Sequence, residues 1–351
     1  MTQLFKKAIV FGDVHFGKKG DSETHNRDCL NFIDWTIKQA EKHDCDTIIN
    51  LGDWFDNRAR IKIDTLSYSN QAIDKLVGAD LPIHWLLGNH DMYNKISRRV
   101  HSLPFLESGW QSSIHFPMKP VEIDDVMLAP WPVGMESSKI TSTECKYVFG
   151  HFELPLFLMN AQIELPDRGG MHADHFVNCG EVYSGHFHKR QTKMNSSNIP
   201  VTYIGSPFGH NFNDVNDRDH GCMVLEWGKD PKYLNWKDGP NYNRIKLSTL
   251  VEKIEDDSWK SLYNKTSNIE CIDDVGISMD ESLEIKEILS EHVRGFTFRQ
   301  NREEESKDPG QFAEFNGENI DQMVVKHLKM IDTEGSDYDS EILIKLYESA
   351  I

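Results

Sequence analysis

Five times within its first 190 residues, the chain runs through a short apolar stretch, reaches a glycine, and then presents oxygen- or nitrogen-bearing side chains. AIVF (8–11) leads into Gly12-Asp13-Val14-His15, and TIINL (47–51) into Gly52-Asp53-Trp54-Phe55-Asp56. IHWLL (83–87) leads into Gly88-Asn89-His90-Asp91, and KYVF (146–149) into Gly150-His151. EVYS (181–184) leads into Gly185-His186-Phe187-His188. Continuous apolar runs of about four or five residues suit strands buried on both faces. Parallel strands deliver their C-terminal ends to one edge of a sheet, where open α/β folds bind ligands. Five segments far apart in sequence can therefore converge on one spot.

Three more β-rich runs follow: VMLAP (126–130), VTYI (201–204) and CMVLEW (222–227). Helical spacing marks 26–42, through Leu30, Ile33, Ile37 and Ala40, and 64–77, through Ile73, Leu76 and Val77. The alternation predicts an α/β fold. Later strands follow one another with little helix between, so the architecture is mixed and not purely doubly wound.

The donors are Asp13, His15, Asp53, Asn89, His151, His186 and His188. Seven mixed nitrogen and oxygen ligands exceed the needs of one metal. They suit two, provided one carboxylate bridges. The absence of thiolate leaves manganese, iron or zinc open. On an extended segment His186 and His188 can lean toward adjacent points, so each is expected to serve a different metal. A lone D-x-H, or a lone G-N-H-D, is usually a loop or turn. Five such motifs, each at the end of an expected strand, point to a site. His172 and His175, in MHADH (171–175), lack that strand context and read as a solvated loop, as do His210 and His220.

Net charge is −18, and its distribution matters. Residues 251–351 hold 11 Lys/Arg against 25 Asp/Glu, whereas residues 1–250 hold 27 against 31. Bulk charge argues against non-specific polyanion binding by the whole surface. Even so, cations follow the donor loops: Lys18 and Lys19; Arg58, Arg60 and Lys62; Arg98 and Arg99; Lys189, Arg190 and Lys193. On a shared face they would rim an anion site and match a nucleic-acid backbone. The six scattered cysteines, with no C-x-x-C, read as free thiols of a cytoplasmic protein. No apolar run is long enough for a membrane span, and the N-terminal apolar stretch is too short for a signal peptide.

The ordered set D-x-H, G-D-x-x-D, G-N-H-D, G-H and G-H-x-H, over about 8–190, resembles the calcineurin-like metallophosphoesterases. The resemblance implies a β-sandwich flanked by helices. It also implies a first metal on Asp13, His15, bridging Asp53 and His188, and a second on Asp53, Asn89, His151 and His186. His90 would approach the scissile phosphate and protonate the leaving oxygen, held by the carboxylate matched by Asp56. Two metals would polarise the phosphoester and acidify a bound water.

Within that superfamily the chain resembles the SbcD-like nuclease subunits of recombination and repair complexes, nearest to the compact subunit of tailed phages. FGDVHFG (11–17), LGDWFD (51–56), LLGNHD (86–91), FGHFEL (149–154), YSGHFH (183–188) and YIGSPF (203–208) carry the likeness. Protein phosphatases instead carry G-D-x-V-D-R-G, whereas here Asn57 and Arg58 follow Asp56. The resemblance implies a DNA exonuclease and single-strand endonuclease with manganese as the metal and magnesium, iron or zinc as alternatives. It also implies a homodimer, with helices over 64–77 and 93–106 as candidate interfaces. The expected domains are a nuclease domain (1–250), a small α/β cap (251–303), a linker (304–317) and a helical tail (318–351). The tail would dock on an SMC-type, SbcC-like ATPase. A small-molecule or nucleotide phosphoesterase is the alternative.

Overall fold

The computed structural model describes residues 3–107 and 113–300, together with Ile344. The linker and the tail helices expected at 318–331 and 340–350 therefore lie outside the described residues, Ile344 apart.

Two six-stranded sheets pack face to face. The first has the order β14-β13-β1-β2-β3-β6. Its parallel strands are β1 (Lys7–Phe11), β2 (Thr47–Asn50), β3 (Ile83–Trp85) and β6 (Ile114–His115). Antiparallel β13 (Gly221–Glu226) and β14 (Lys232–Asn235) complete that edge. The second has the order β11-β12-β10-β9-β8-β7. Here β8 (Val126–Ala129), β9 (Cys145–His151), β10 (Cys179–Gly185) and β12 (Pro200–Tyr203) are parallel. β7 (Val121–Ile123) and β11 (Gln191–Met194) are the antiparallel edges.

The apolar runs are unbroken because both faces of these strands are buried. Val10, Ile49, Leu86, Leu128, Phe149 and Tyr183 fill the space between the sheets. Phe11, Ile48 and Trp85 face outward, toward the helices Glu23–Lys42 and Ile63–Gly78. The stripe Phe32, Ile33, Ala40 and Ala72, Ile73, Leu76 is the buried face of that pair. Ser22 caps the first helix by accepting from the His25 N–H. The expected α/β sandwich flanked by helices is thus observed.

A third, parallel sheet joins β15 (Asn241–Lys246), β16 (Ser267–Asp273) and β17 (Gly295–Gln300), in that order. The helices Leu247–Glu255 and Met279–Ser290 cover it, over Leu250, Ile269, Cys271 and Leu289. A reciprocal capping box between Ser278 and Glu281 starts the second of these helices.

The helix expected over 93–106 is not present. β4 (Met92–Asn94) and β5 (Ser97–His101) form a hairpin there, followed by a single turn at Pro104–Glu107. Asn94 Oδ1 accepts from the Ile96 N–H at 3.1 Å and closes the turn. Arg98, expected on a cationic rim, is buried instead. Its guanidinium donates to Glu136 and to the carbonyls of Met118 and Trp131. A long side chain held by internal hydrogen bonds in this way anchors the hairpin, where the family resemblance implied a helix.

Candidate metal centre

The parallel strands end on one edge, and the donor loops there are laced to each other through the backbone. Asp13 N–H donates to Gly52 O (2.9 Å), His15 N–H to Asp53 O (3.1 Å) and Phe16 N–H to Trp54 O (2.7 Å). Asp13, His15 and Asp53 all have φ near +55°, and His186 has φ of 93°. Such values are uncommon for residues with side chains and cluster where a site demands them. Gly88 is required by close approach: a Cβ there would lie 2.1 Å from Asp53 Oδ1.

Asp91 holds this framework, and the sequence reading passed over it. It is fully buried and accepts four backbone N–H bonds. Those of Asp53 (2.9 Å) and Gly88 (2.9 Å) reach one oxygen, and those of Trp54 (2.9 Å) and Phe55 (3.2 Å) the other. One carboxylate thereby fixes the loop after β2 against the loop after β3.

The seven expected donors come together. His15 Nε2 and His188 Nε2 are 3.2 Å apart. Asp13, His15 and His188 form one group whose ligand atoms lie within 4.8 Å of one another, and Asp53, His151 and His186 form another. Asp53 Oδ2 lies between them, 3.7 Å from His15 Nε2 and 3.3 Å from His151 Nε2. Asn89 Oδ1 is 3.1 Å from His151 Nε2. His186 N–H donates to both oxygens of Asp13, at 2.9 and 3.1 Å.

The tautomers suit cations. His151 Nδ1–H donates to Leu51 O at 2.7 Å, which leaves Nε2 facing Asp53 and Asn89. His15 Nδ1 lies 3.3 Å from Asp56 Oδ1, which leaves its Nε2 facing His188. Burial pushes His15 down to about 4 and His188 well below the usual histidine range, so both rings are neutral with lone pairs inward. Burial alone would also lower His151, but the Asp53 carboxylate overrides it and raises that ring to about 9. Asp13 is pushed up to about 8, by burial first; the His151 ring opposes the rise and the Asp53 carboxylate adds to it. The neutral rings of His15 and His188, the inward Nε2 of His151 and the crowded carboxylates form a donor set that fits divalent cations.

Asp56 differs from expectation. His90 Nδ1 is 2.6 Å from the main-chain carbonyl of Asp56, not from its carboxylate. The carboxylate is 2.7 Å from Lys18 Nζ and faces His15. The His15 ring hydrogen bond and the Lys18 charge outweigh burial and hold it below the ordinary carboxylate range. A neighbouring lysine and histidine offer a buried carboxylate more than one neutral ring can.

A cleft of about 300 Å³ opens over the donors, and Lys18, Arg58, Lys95, His90 and Glu153 line it. Of the expected cationic rim, Lys18 and Arg58 reach this cleft. Lys189 pairs with Asp217 at 3.0 Å, and Arg190 donates to Asn235 and Ile204 O. Three further residues adjoin the site, and one of them corrects the loop reading: His210, like His220, is buried and not solvated. Glu153 Oε1 lies 3.4 Å from His186 Nε2. Lys95 lines the cleft from the β4–β5 turn. The buried His210 ring stacks 4.7 Å from His188. His172 and His175 form an isolated capped turn, as the loop reading expected.

A model of the calcineurin-like phosphoesterase family matches residues 6–248. The chain belongs to the calcineurin-like phosphoesterase family. Its activity class is metal-dependent phosphoester hydrolysis. Exonuclease subunit 1 of Enterobacteria phage T4 is 28% identical over 218 residues, covering 60% of this chain and 62% of that protein. The match thus spans under two thirds of that relative. Among solved structures, a dimetal phosphatase from Danio rerio is 13% identical, with a TM-score of 0.40, covering 66% of this chain and 93% of that one. Nuclease MPE from Pseudomonas putida is 16% identical, with a TM-score of 0.30, covering 56% and 72%. At these TM-scores neither likeness bears on the activity of this phosphoesterase. No helix among its described residues is long and apolar enough to cross a membrane.

Proposed function

We propose that the chain is a dimetal DNA nuclease subunit, cutting duplex ends and single strands within a recombination and repair complex. The observation that carries this reading is the cleft itself. A two-cation donor set lies at its floor, and Lys18, Arg58 and Lys95 stand around it to meet a polyanionic backbone. The phage T4 relative, an exonuclease subunit by name, supports the same substrate.

Asp13, His15, Asp53 and His188 would hold one cation, and Asp53, Asn89, His151 and His186 the other. Manganese is the metal proposed for both positions, with magnesium, iron or zinc as alternatives. The pair would supply Lewis-acid polarisation of the phosphodiester and a water of lowered pKa. The remaining work belongs to the chain. The Asp56 carbonyl takes the Nδ1–H of His90, so the ring offers Nε2 to the cleft; when Nε2 also carries a proton, it passes that proton to the departing oxygen and the ring is left neutral with its Nδ1–H in place. Asp56 carboxylate orients His15, and Lys18 keeps that carboxylate charged. Asp91 maintains the spacing between the loops that carry Asp53 and Asn89.

Residues 318–351 would dock on an SMC-type, SbcC-like ATPase. Homodimerisation would use the helix Ile63–Gly78, whose Ile63 and Leu66 are exposed. The test is digestion of end-labelled duplex and circular single-stranded DNA with manganese, with and without that ATPase, beside a chromogenic phosphomonoester. DNA cleavage abolished by Asp53→Asn is expected. Monoester turnover without DNA cleavage would reassign the chain to small-molecule phosphoester hydrolysis.

A further inference from the structure

A second cavity of about 300 Å³ lies behind the metal centre. The segment 206–220 is the wall between them: Asn211, Asn213 and Asp214 line the catalytic cleft, and Asp217, Arg218 and His220 line the second cavity. Phe208 also lines that cavity, and its ring stacks on His210 at 5.2 Å, which in turn stacks on His188. The second cavity is therefore two rings away from a proposed metal ligand.

Its lining has three components. Trp236 gives aromatic surface, with the buried Phe208 ring packed edge-on beneath it. Arg218 and Lys237 are exposed cations at its rim. The third component is an orphaned polar atom. His220 is only 5% exposed, and its Nε2 has no partner. The tautomer follows from its neighbours. Ser206 Oγ–H donates to Phe208 O at 3.0 Å, so Ser206 Oγ must accept from His220 Nδ1–H, at 3.1 Å. Nε2 is then a bare acceptor, and burial keeps the ring neutral by lowering its pKa. A buried acceptor without a donor is costly, and native structures rarely leave one without a purpose. Asp217, the one acid in the lining, is neutralised by Lys189 at 3.0 Å and does not repel an anion.

We propose that this cavity binds one nucleotide. Its base would lie against Trp236 and donate an N–H to His220 Nε2, and its phosphate would meet Arg218 and Lys237. The nucleotide could be free or one unit of a strand passing the catalytic cleft. The proposal does not depend on the nuclease reading, because free mononucleotides test it.

The experiment is calorimetric titration of the full chain, with manganese, using deoxyadenosine monophosphate and its unsubstituted-purine analogue, which lacks every base N–H donor. Wild type is compared with Asp53→Asn, His220→Phe and Lys237→Ala. Lys237 is exposed, so its replacement carries no folding burden. In the Asp53→Asn protein, the adenine nucleotide should bind saturably and about tenfold tighter than the analogue, as one hydrogen bond allows. His220→Phe should erase that preference, and Lys237→Ala should weaken both ligands. A short oligodeoxyadenylate binding tighter than the mononucleotide, with the same dependence on His220, identifies a strand as the source. The reverse order identifies free nucleotide. Equal affinity for the two mononucleotides, or binding that vanishes in Asp53→Asn, overturns the proposal.

Discussion

Replacing Asp91 with asparagine exchanges one carboxylate oxygen for an NH2 group and tests how the site is held together. The carboxylate accepts from Asp53 and Gly88 with one oxygen, and from Trp54 and Phe55 with the other. An amide keeps one oxygen. Its NH2 group must then face two backbone N–H groups, donor against donor, whichever way it is turned. Each buried amide left without an acceptor costs about 1–3 kcal/mol, so Asp91→Asn should lose about 2–6 kcal/mol of stability. Because Asp53 and the Asn89 loop are the elements displaced, manganese affinity should fall as well, by an order of magnitude or more. Urea unfolding gives the first quantity, and calorimetric manganese titration the second. A variant within about 0.5 kcal/mol of wild type that still binds manganese normally would refute the idea that Asp91 sets the loop spacing.

Three further outcomes are expected. His90→Ala should lower kcat on DNA by about 10²–10⁴-fold while sparing manganese binding, and should matter far less for a nitrophenyl diester, whose leaving group needs no proton; equal losses on both substrates would remove His90 from the acid role. Gly88→Ala places a methyl 2.1 Å from Asp53 Oδ1 and 2.4 Å from its amide nitrogen, so it should cost about 1–3 kcal/mol or more and abolish metal binding, read by unfolding and titration. Burial first, then His115 opposite, push His84 from 6.5 down to about 4. The folded state favours neutral His84, so its contribution is present above pH 6.5 and lost as pH falls toward 4; relative to His84→Gln, wild type should lose about 3 kcal/mol across that window, and parallel curves would contradict it.

Much of the centre was legible because its chemistry requires particular side chains at strand ends. Asp13, His15, Asp53, Asn89, His151, His186 and His188 each follow an apolar run, and each lies at the shared edge. Asp91 was not legible. A carboxylate that accepts backbone N–H groups from another loop looks, in sequence, like the last residue of an ordinary turn. The Asp56 assignment failed for a related reason: sequence supplies a carboxylate near His90 but not the competition from Lys18 and His15 that draws it away. The hairpin at 92–101 departs from the helix that the family resemblance implied, because Arg98 is buried by long-range hydrogen bonds. The orphaned Nε2 of His220 depends on Ser206 and Phe208, fourteen and twelve residues away, and no local pattern announces it.

Anomalous diffraction from crystals of the full chain grown with manganese tests directly whether Asp53 bridges two cations. Two peaks about 3.5–4 Å apart are expected, both within bonding distance of the Asp53 carboxylate, one flanked by His15 and His188 and the other by His151 and His186. A single peak, or peaks that leave Asp53 unshared, would contradict it.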